Sequence, residues 1–203
     1  MAGTLSSFSF LLASSSPRRS QLLAEAGYRF KVVDPPIHEP DETMSRLPPT
    51  QQAEALAYFK ARAVAEGHPD VWVLAADTIV SLNDQILGKP ADQADAQRML
   101  EALSGSRHAV STGVALLGPQ GQRLIASETS YVTMRKMSEE EIHSYLDSGE
   151  WLGKAGAYAI QESADRFIKK VEGSFTNVVG LPMELVAQMF EEMLKHPEAH
   201  KVT

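Results

Sequence analysis

Arg18 and Arg19 stand directly behind Pro17 in the stretch LLASSSPRRSQLLAEAG, residues 11–27. Ser16 suits an N-cap, Pro17 suits the first helical position, and Leu22, Leu23 and Ala26 supply an apolar stripe that Gly27 ends. The arginines therefore fall in the first turn of a helix, where the backbone dipole is positive and the leading N–H groups lack partners. Cations are mildly disfavoured there, so the pair makes sense if an anion occupies the site. Hydroxyls at Ser14, Ser15 and Ser16, unpaired amides and guanidinium forks together make a phosphate cradle. Both arginines pointing into solvent is the alternative that this stretch alone leaves open.

Asp77 interrupts the apolar run VLAADTIV. A carboxylate there is a costly buried charge, a cap on the turn before Thr78, or a functional group at a strand end, where α/β folds collect their sites. Lys89 in LGKP follows an Asn83–Asp84 turn and could lie on the same side of a sheet; taken alone it reads as a solvated lysine. It is not a P-loop lysine, because a Walker A loop needs Gly at position 83 and Ser or Thr at position 90, and the chain has Asn83 and Pro90. No G-x-G-x-x-G follows a strand. Glu39, Asp41 and Glu42 in HEPDE offer hard oxygen donors of the kind Mg²⁺ takes beside phosphate oxygens, or simply a solvated acidic loop. Gln161 follows the apolar run AYAI, and its amide both donates and accepts, which suits a nucleobase edge as well as a strand end. The histidines show no paired ligand spacing, and a G-x-S-x-G elbow is absent. Jointly these residues describe cations for phosphates, carboxylates for a divalent metal and polar groups for a base.

The elements that must position them alternate between strand-like and helix-like segments, which predicts an α/β fold. Phe8–Ala13 reads as a buried strand feeding the Ser16 helix, and Phe30–Val33 as a second strand. Residues 34–49, rich in proline and acid, read as a loop before a helix over 50–66. The strand carrying Asp77 runs into the Asn83–Asp84 turn and a short strand in QILGKP. Asp92 opens a helix with Met99, Leu100 and Leu103 on one face. Two long strands, 108–117 and 123–134, flank GPQGQ as a hairpin. Ser138 with Glu141 spells a capping box for a helix that Gly149 ends. The pattern then predicts a strand at AYAI, a hairpin around Glu172–Gly173, and a last helix from Pro182. No repeat, linker or low-complexity tract divides the chain, so residues 1–203 read as one domain.

The bulk composition narrows the function. The 203-residue chain is 43% hydrophobic and 22% charged, ordinary for a globular protein. A net charge of −7 argues against a nucleic-acid polymer as partner, since polyanion binding shows as a basic face. A small anion needs only local cations. With no cysteine there are no disulfides, thiolate metal sites or thiol nucleophile. The run at Phe8–Ala13 is too short for a signal-peptide core and Ser9 breaks it, and no run reaches membrane-spanning length. A cytoplasmic protein without membrane contact is expected.

In order along the chain, LASSSPRRSQLL, AADTIV, LGKP, LSGSRHAVSTGVAL, GKAGAYAIQ and GSFTNVVGLP resemble the motifs of the Maf (septum formation inhibitor-like) family, from Leu11 to Leu185. The resemblance implies a nucleoside triphosphate pyrophosphatase with a mixed twisted sheet flanked by helices, similar to the inosine triphosphate pyrophosphatase fold. It implies a divalent cation, Mg²⁺ or Mn²⁺, a cytoplasmic location and a homodimer. Carried over by motif, Ser14, Arg18 and Arg19 bind the triphosphate, and Lys60 and Lys89 fall on the family's lysine positions. Glu39 and Asp77 fall on its metal-associated acidic positions, with Glu42 as the neighbour that could exchange roles with Glu39. Arg18, Thr78 and Gln161 match the subgroup acting on dTTP and UTP rather than on 7-methyl-GTP. Three positions depart from the family pattern: Gly153 stands where Asp is usual, and Ala159 and Glu162 stand where Gly is usual. The implied reaction is hydrolysis to a nucleoside monophosphate and pyrophosphate, with Asp77 as general base; the alternatives are a nucleotide-binding regulator of cell division without turnover and a scaffold.

Overall fold

The structure is a computed structural model that describes residues 9–36 and 47–195. Its centre is a seven-stranded mixed sheet. Strand β1 (Ser9–Ala13) lies between β2 (Arg29–Val33) and β3 (Val73–Leu82), parallel to both. Beyond β3 the sheet turns antiparallel through β5 (Arg107–Leu117), β6 (Arg123–Met134) and β7 (Ile168–Glu172), while the short β4 (Gln85–Leu87) pairs with the end of β3. Helix α1 (Pro17–Glu25) links β1 to β2, and α2 (Pro49–Ala65) precedes β3. Helices α3 (Gln93–Leu103), α4 (Glu139–Asp147), α5 (Phe175–Val179) and α6 (Met183–Lys195) complete the described chain. The expected mixed α/β fold is what the structure shows.

The alternation of side chains along the strands creates two cores. Phe10, Leu12, Leu74 and Ala76 face the larger one, with Leu22 and Leu23 of α1 and the apolar faces of α3, α4 and α6. Leu11, Ala13, Val73 and Ala75 face the smaller one beneath α2. Ala53, Ala57 and Ala61 of α2 are fully buried, so this helix rides close to the sheet. The approach is closest at Gly113, where an added Cβ would lie 2.2 Å from the carbonyl carbon of Ala53. Gly113 is the register partner of Asp77, so the same close approach brings α2 over the site strand.

Local signals mostly act as expected. Asn83 and Asp84 both take positive φ, 50° and 63°, which makes the tight turn between β3 and β4. Asp92 caps α3 by accepting from the Asp95 amide at 2.8 Å, and Ser138 and Glu141 form both arms of the capping box on α4. Two expectations are corrected. AYAI is not a strand: Gly156 and Ala157 take left-handed φ of 69° and 62°, which curls the chain into a single turn at Ala155–Ala157. Nor does a hairpin form at Glu172–Gly173, because β7 pairs with β6 and the chain goes directly into α5, whose N-cap Ser174 accepts from the Asn177 amide.

Candidate active site

The site lies where β1 runs out. Strand β1 pairs with β3 only at Leu11↔Val73 and Leu12↔Leu74, whereas β3 continues to Leu82 and takes β4 as its neighbour from Val80 onward. A notch opens beyond Ala13, at the carboxyl end of the parallel strands, where α/β sheets place their ligands. It holds a cavity of about 350 Å³ lined in part by Ser14, Arg18, Lys60, Asp77, Lys89 and Lys154. Arg19, Thr78 and Gln161 also line it. Every expected site residue within the described chain thus reaches one cavity. Glu39 and Glu42 lie outside the described residues.

The period of the strand places Asp77 and Thr78 on opposite faces of β3. Asp77 continues the row of Val73 and Ala75 toward α2, and there its Oδ1 accepts from Lys60 Nζ. Lys60 lies one turn beyond Ala57 on the helix whose alanine face is pressed to the sheet, so its long side chain has a short span to cross. The side chains of Lys60 and Asp77 are 24% and 15% exposed, so the pair sits at the cavity wall and not in bulk solvent.

Thr78 continues the other row, and its hydroxyl is used within the protein. Its Oγ1 lies 2.9 Å from Thr112 Oγ1 and accepts from Arg19 at 3.1 Å. Arg19 also donates from Nε to the Gly180 carbonyl at 2.8 Å and from Nη1 to Ser14 Oγ at 3.2 Å. One planar guanidinium therefore ties the end of β1, the middle of β3 and the turn before α6 together. Burial lowers its pKa from the ordinary value, and Asp77 acts in the opposite direction. Ser14 is itself buried and accepts from the Ser16 amide at 3.2 Å as well, so it shapes the loop entering α1. Ser16 occupies the N-cap position without a side-chain cap bond, and the first turn of α1 carries no acid.

The two arginines thus divide their roles. Arg19 is a strut, while Arg18 lies at the rim with its Nη1 3.9 Å from Glu162 Oε1. Lys154 also pairs with Glu162, through Oε2, and its side chain is only 11% exposed. Lys154 comes from the loop that Gly156 joins to the Lys89 loop, the Gly156 amide donating to the Gly88 carbonyl at 3.0 Å. Gln161 is exposed at the same rim. Under the floor, buried His108 bonds through Nε2 to the hydroxyl of Tyr158 at 2.7 Å. Burial pushes His108 down to about 4 and raises Tyr158.

Sequence reasoning did not find the pairing of Glu162 with Arg18 and Lys154, nor Gly180 as the acceptor that orients Arg19. Gly180 is 161 positions from Arg19, and no local pattern links them. Among the described residues no cluster of three or more His, Asp or Glu side chains could hold a metal unaided. Asp77 is the only carboxylate among the described cavity-lining residues. That donor set fits Mg²⁺ or Mn²⁺ if a ligand's phosphate oxygens complete the shell.

Residues 9–193 match the model of the family described as Maf-like protein. The chain belongs to the Maf family. Among its Maf relatives, the dTTP/UTP pyrophosphatase of Koribacter versatilis (strain Ellin345) is 47% identical over 179 residues, 88% of this chain and 91% of that one. The dTTP/UTP pyrophosphatase of Geobacillus sp. (strain WCH70) is 49% identical over 177 residues, 85% of this chain and 91% of its own. The Ham1 protein of Staphylococcus aureus shares the fold, with a TM-score of 0.53 at 13% identity, covering 91% of this chain and 98% of that one.

Proposed function

We propose that the protein hydrolyses nucleoside triphosphates, dTTP and UTP foremost, to the nucleoside monophosphate and pyrophosphate. The observation that carries the reading is the convergence of Arg18, Lys89 and Lys154 with the Lys60–Asp77 pair on one cavity beside the N-terminus of α1. Cations gathered where a helix presents unpaired amides suit a polyphosphate. The names of the relatives specify which nucleotides.

In this reading the phosphates lie against the first turn of α1, with Arg18 and Lys154 at the rim and Lys89 on the loop fastened to that of Lys154. Lys60 holds Asp77 through Oδ1, which leaves Oδ2 as the atom that accepts a proton from the water attacking the α-phosphorus. The lysines and Arg18 neutralise the charge that develops as pyrophosphate leaves. Arg19 and Thr78 keep Ser14, β3 and Gly180 in register so that these groups stay aimed at one point. Asp77 is the described residue that would hold Mg²⁺ or Mn²⁺, a cation that supplies further neutralisation of the phosphates when bound. Gln161 offers its amide to the base edge. The reading includes a homodimer, supported by the family resemblance, and a cytoplasmic location, supported by the absence of cysteine; no described helix is long and apolar enough to cross a membrane.

The test is pyrophosphate release from dTTP, UTP, CTP, 7-methyl-GTP and ITP with Mg²⁺ or Mn²⁺, for wild type beside Asp77→Asn. Turnover of dTTP and UTP that the substitution abolishes supports the reading. Nucleotide binding with no product from any substrate would replace the enzyme with a nucleotide-binding regulator.

A further inference from the structure

Glu162 is the one described carboxylate that pairs with cations at the phosphate end of the cavity rim. Its Oε2 accepts from Lys154, and its Oε1 lies 3.9 Å from Arg18. The two cations come from different parts of the chain, the first turn of α1 and the loop beside Gly153, and the carboxylate bridges them much as an anionic ligand would. Its own side chain is 35% exposed, against 11% for Lys154. The acid is therefore placed on the outer side of a lysine that is nearly enclosed. Backbone bonds hold the Ala159–Asp165 turn that carries Glu162, the Glu162 amide donating to Ala159 and its carbonyl accepting from Asp165. The lysine lines the cavity, and Glu162 does not.

We infer that Glu162 is a built-in competitor for the phosphate subsite, a carboxylate that occupies Lys154 and Arg18 when no ligand is bound and must yield them to a polyphosphate. The inference rests on the proposed function, since it assigns those cations to phosphates. Glu162 lowers the affinity of any ligand that needs both cations, and it lowers it for pyrophosphate as for the triphosphate. The consequence is weaker retention of both. A polyphosphate recruits Lys154 and Arg18 away from Glu162, and as pyrophosphate leaves the carboxylate reclaims them. Glu162 thus sets affinity and product release without taking part in bond breaking.

The opposite role is also physically available, in which Glu162 merely orders Lys154 for the ligand. The two roles differ in sign, which makes the test decisive. Binding of inorganic pyrophosphate is measured by calorimetry, with Mg²⁺ present, for the full chain as wild type, Glu162→Gln and Glu162→Ala. Competition predicts that both variants bind pyrophosphate more tightly, by about fivefold for pairs a third exposed or less, with the difference shrinking as salt is raised. It predicts in addition a lower KM for the nucleotide, with kcat unchanged or reduced by slower product release. Equal or weaker pyrophosphate binding by both variants would overturn the inference, because an ordering residue loosens the site when removed. Failure of wild type and both variants alike to bind pyrophosphate would overturn the phosphate site itself. The two failures are told apart because in the first the wild type binds.

Discussion

The amide of Gly156 donates to the carbonyl of Gly88 at 3.0 Å, so the loops that carry Lys154 and Lys89 are fastened to each other beside the cavity. Gly156 can make this bond because it sits at φ 69° with Val80 beneath it; an added Cβ would approach Val80 Cγ1 to 3.0 Å. Gly156→Ala meets both the left-handed strain and the contact. It is expected to cost about 1–3 kcal/mol, read by urea unfolding, and to raise the nucleotide KM as the lysines lose their alignment.

The two neighbouring arginines give opposite expectations. Arg19→Lys removes a fork that satisfies Ser14, Thr78 and Gly180 together, and a single ammonium cannot reproduce that geometry. A stability loss of about 1–3 kcal/mol follows, again by denaturant unfolding. Arg18→Ala touches only the rim, so stability moves by less than about 0.5 kcal/mol. Its effect falls on binding, with the nucleotide KM raised about tenfold.

Asp77→Asn keeps the shape of the side chain and an oxygen for Lys60, while it removes the carboxylate that takes the proton. The expected outcome is a kcat lower by about 10²- to 10⁴-fold, with circular dichroism and unfolding midpoint close to wild type. Lys60→Met leaves Asp77 in place without its partner and is expected to lower kcat as well, by releasing the same carboxylate from its position. A variant of either kind with full activity contradicts the assignment.

His108 supplies a pH dependence of stability. Burial lowers its pKa from 6.5 to about 4, so between these values the unfolded chain binds a proton that the folded chain refuses. Stability contributed by the neutral ring is present above pH 6.5 and is lost as pH falls toward 4. The loss amounts to about 3 kcal/mol over that window. Unfolding free energies of wild type and His108→Phe, measured across that pH range, should not run parallel, wild type losing the more stability as pH falls. Parallel curves would show that the ring does not stay neutral.

Much of this was legible in the residues themselves, wherever a feature is decided within a few positions. The capping box at Ser138, the cap at Asp92, the Asn83–Asp84 turn and the Pro17 start of α1 are all local chemistry. Asp77 stood out because a carboxylate in an apolar strand needs a reason. What escaped was decided at long range or by backbone conformation. AYAI has the apolar content of a strand, but the neighbouring left-handed residues bend it. Ser174 has the same signature as other caps, yet the adjacent Gly173 suggested a hairpin. Arg19 and Arg18 are indistinguishable by type and position in the first turn. Only the distant Gly180 and Thr78 make one a strut and leave the other at the rim.

Water attacks the α-phosphorus of the nucleoside triphosphate in the proposed reaction. Hydrolysis of dTTP in ¹⁸O-water, followed by mass spectrometry of the products, shows which phosphorus is attacked. The expected products are dTMP carrying one ¹⁸O on its phosphate and unlabelled pyrophosphate. Label in inorganic phosphate or pyrophosphate, or dTDP as the product, would place the attack at another phosphorus and contradict that reaction.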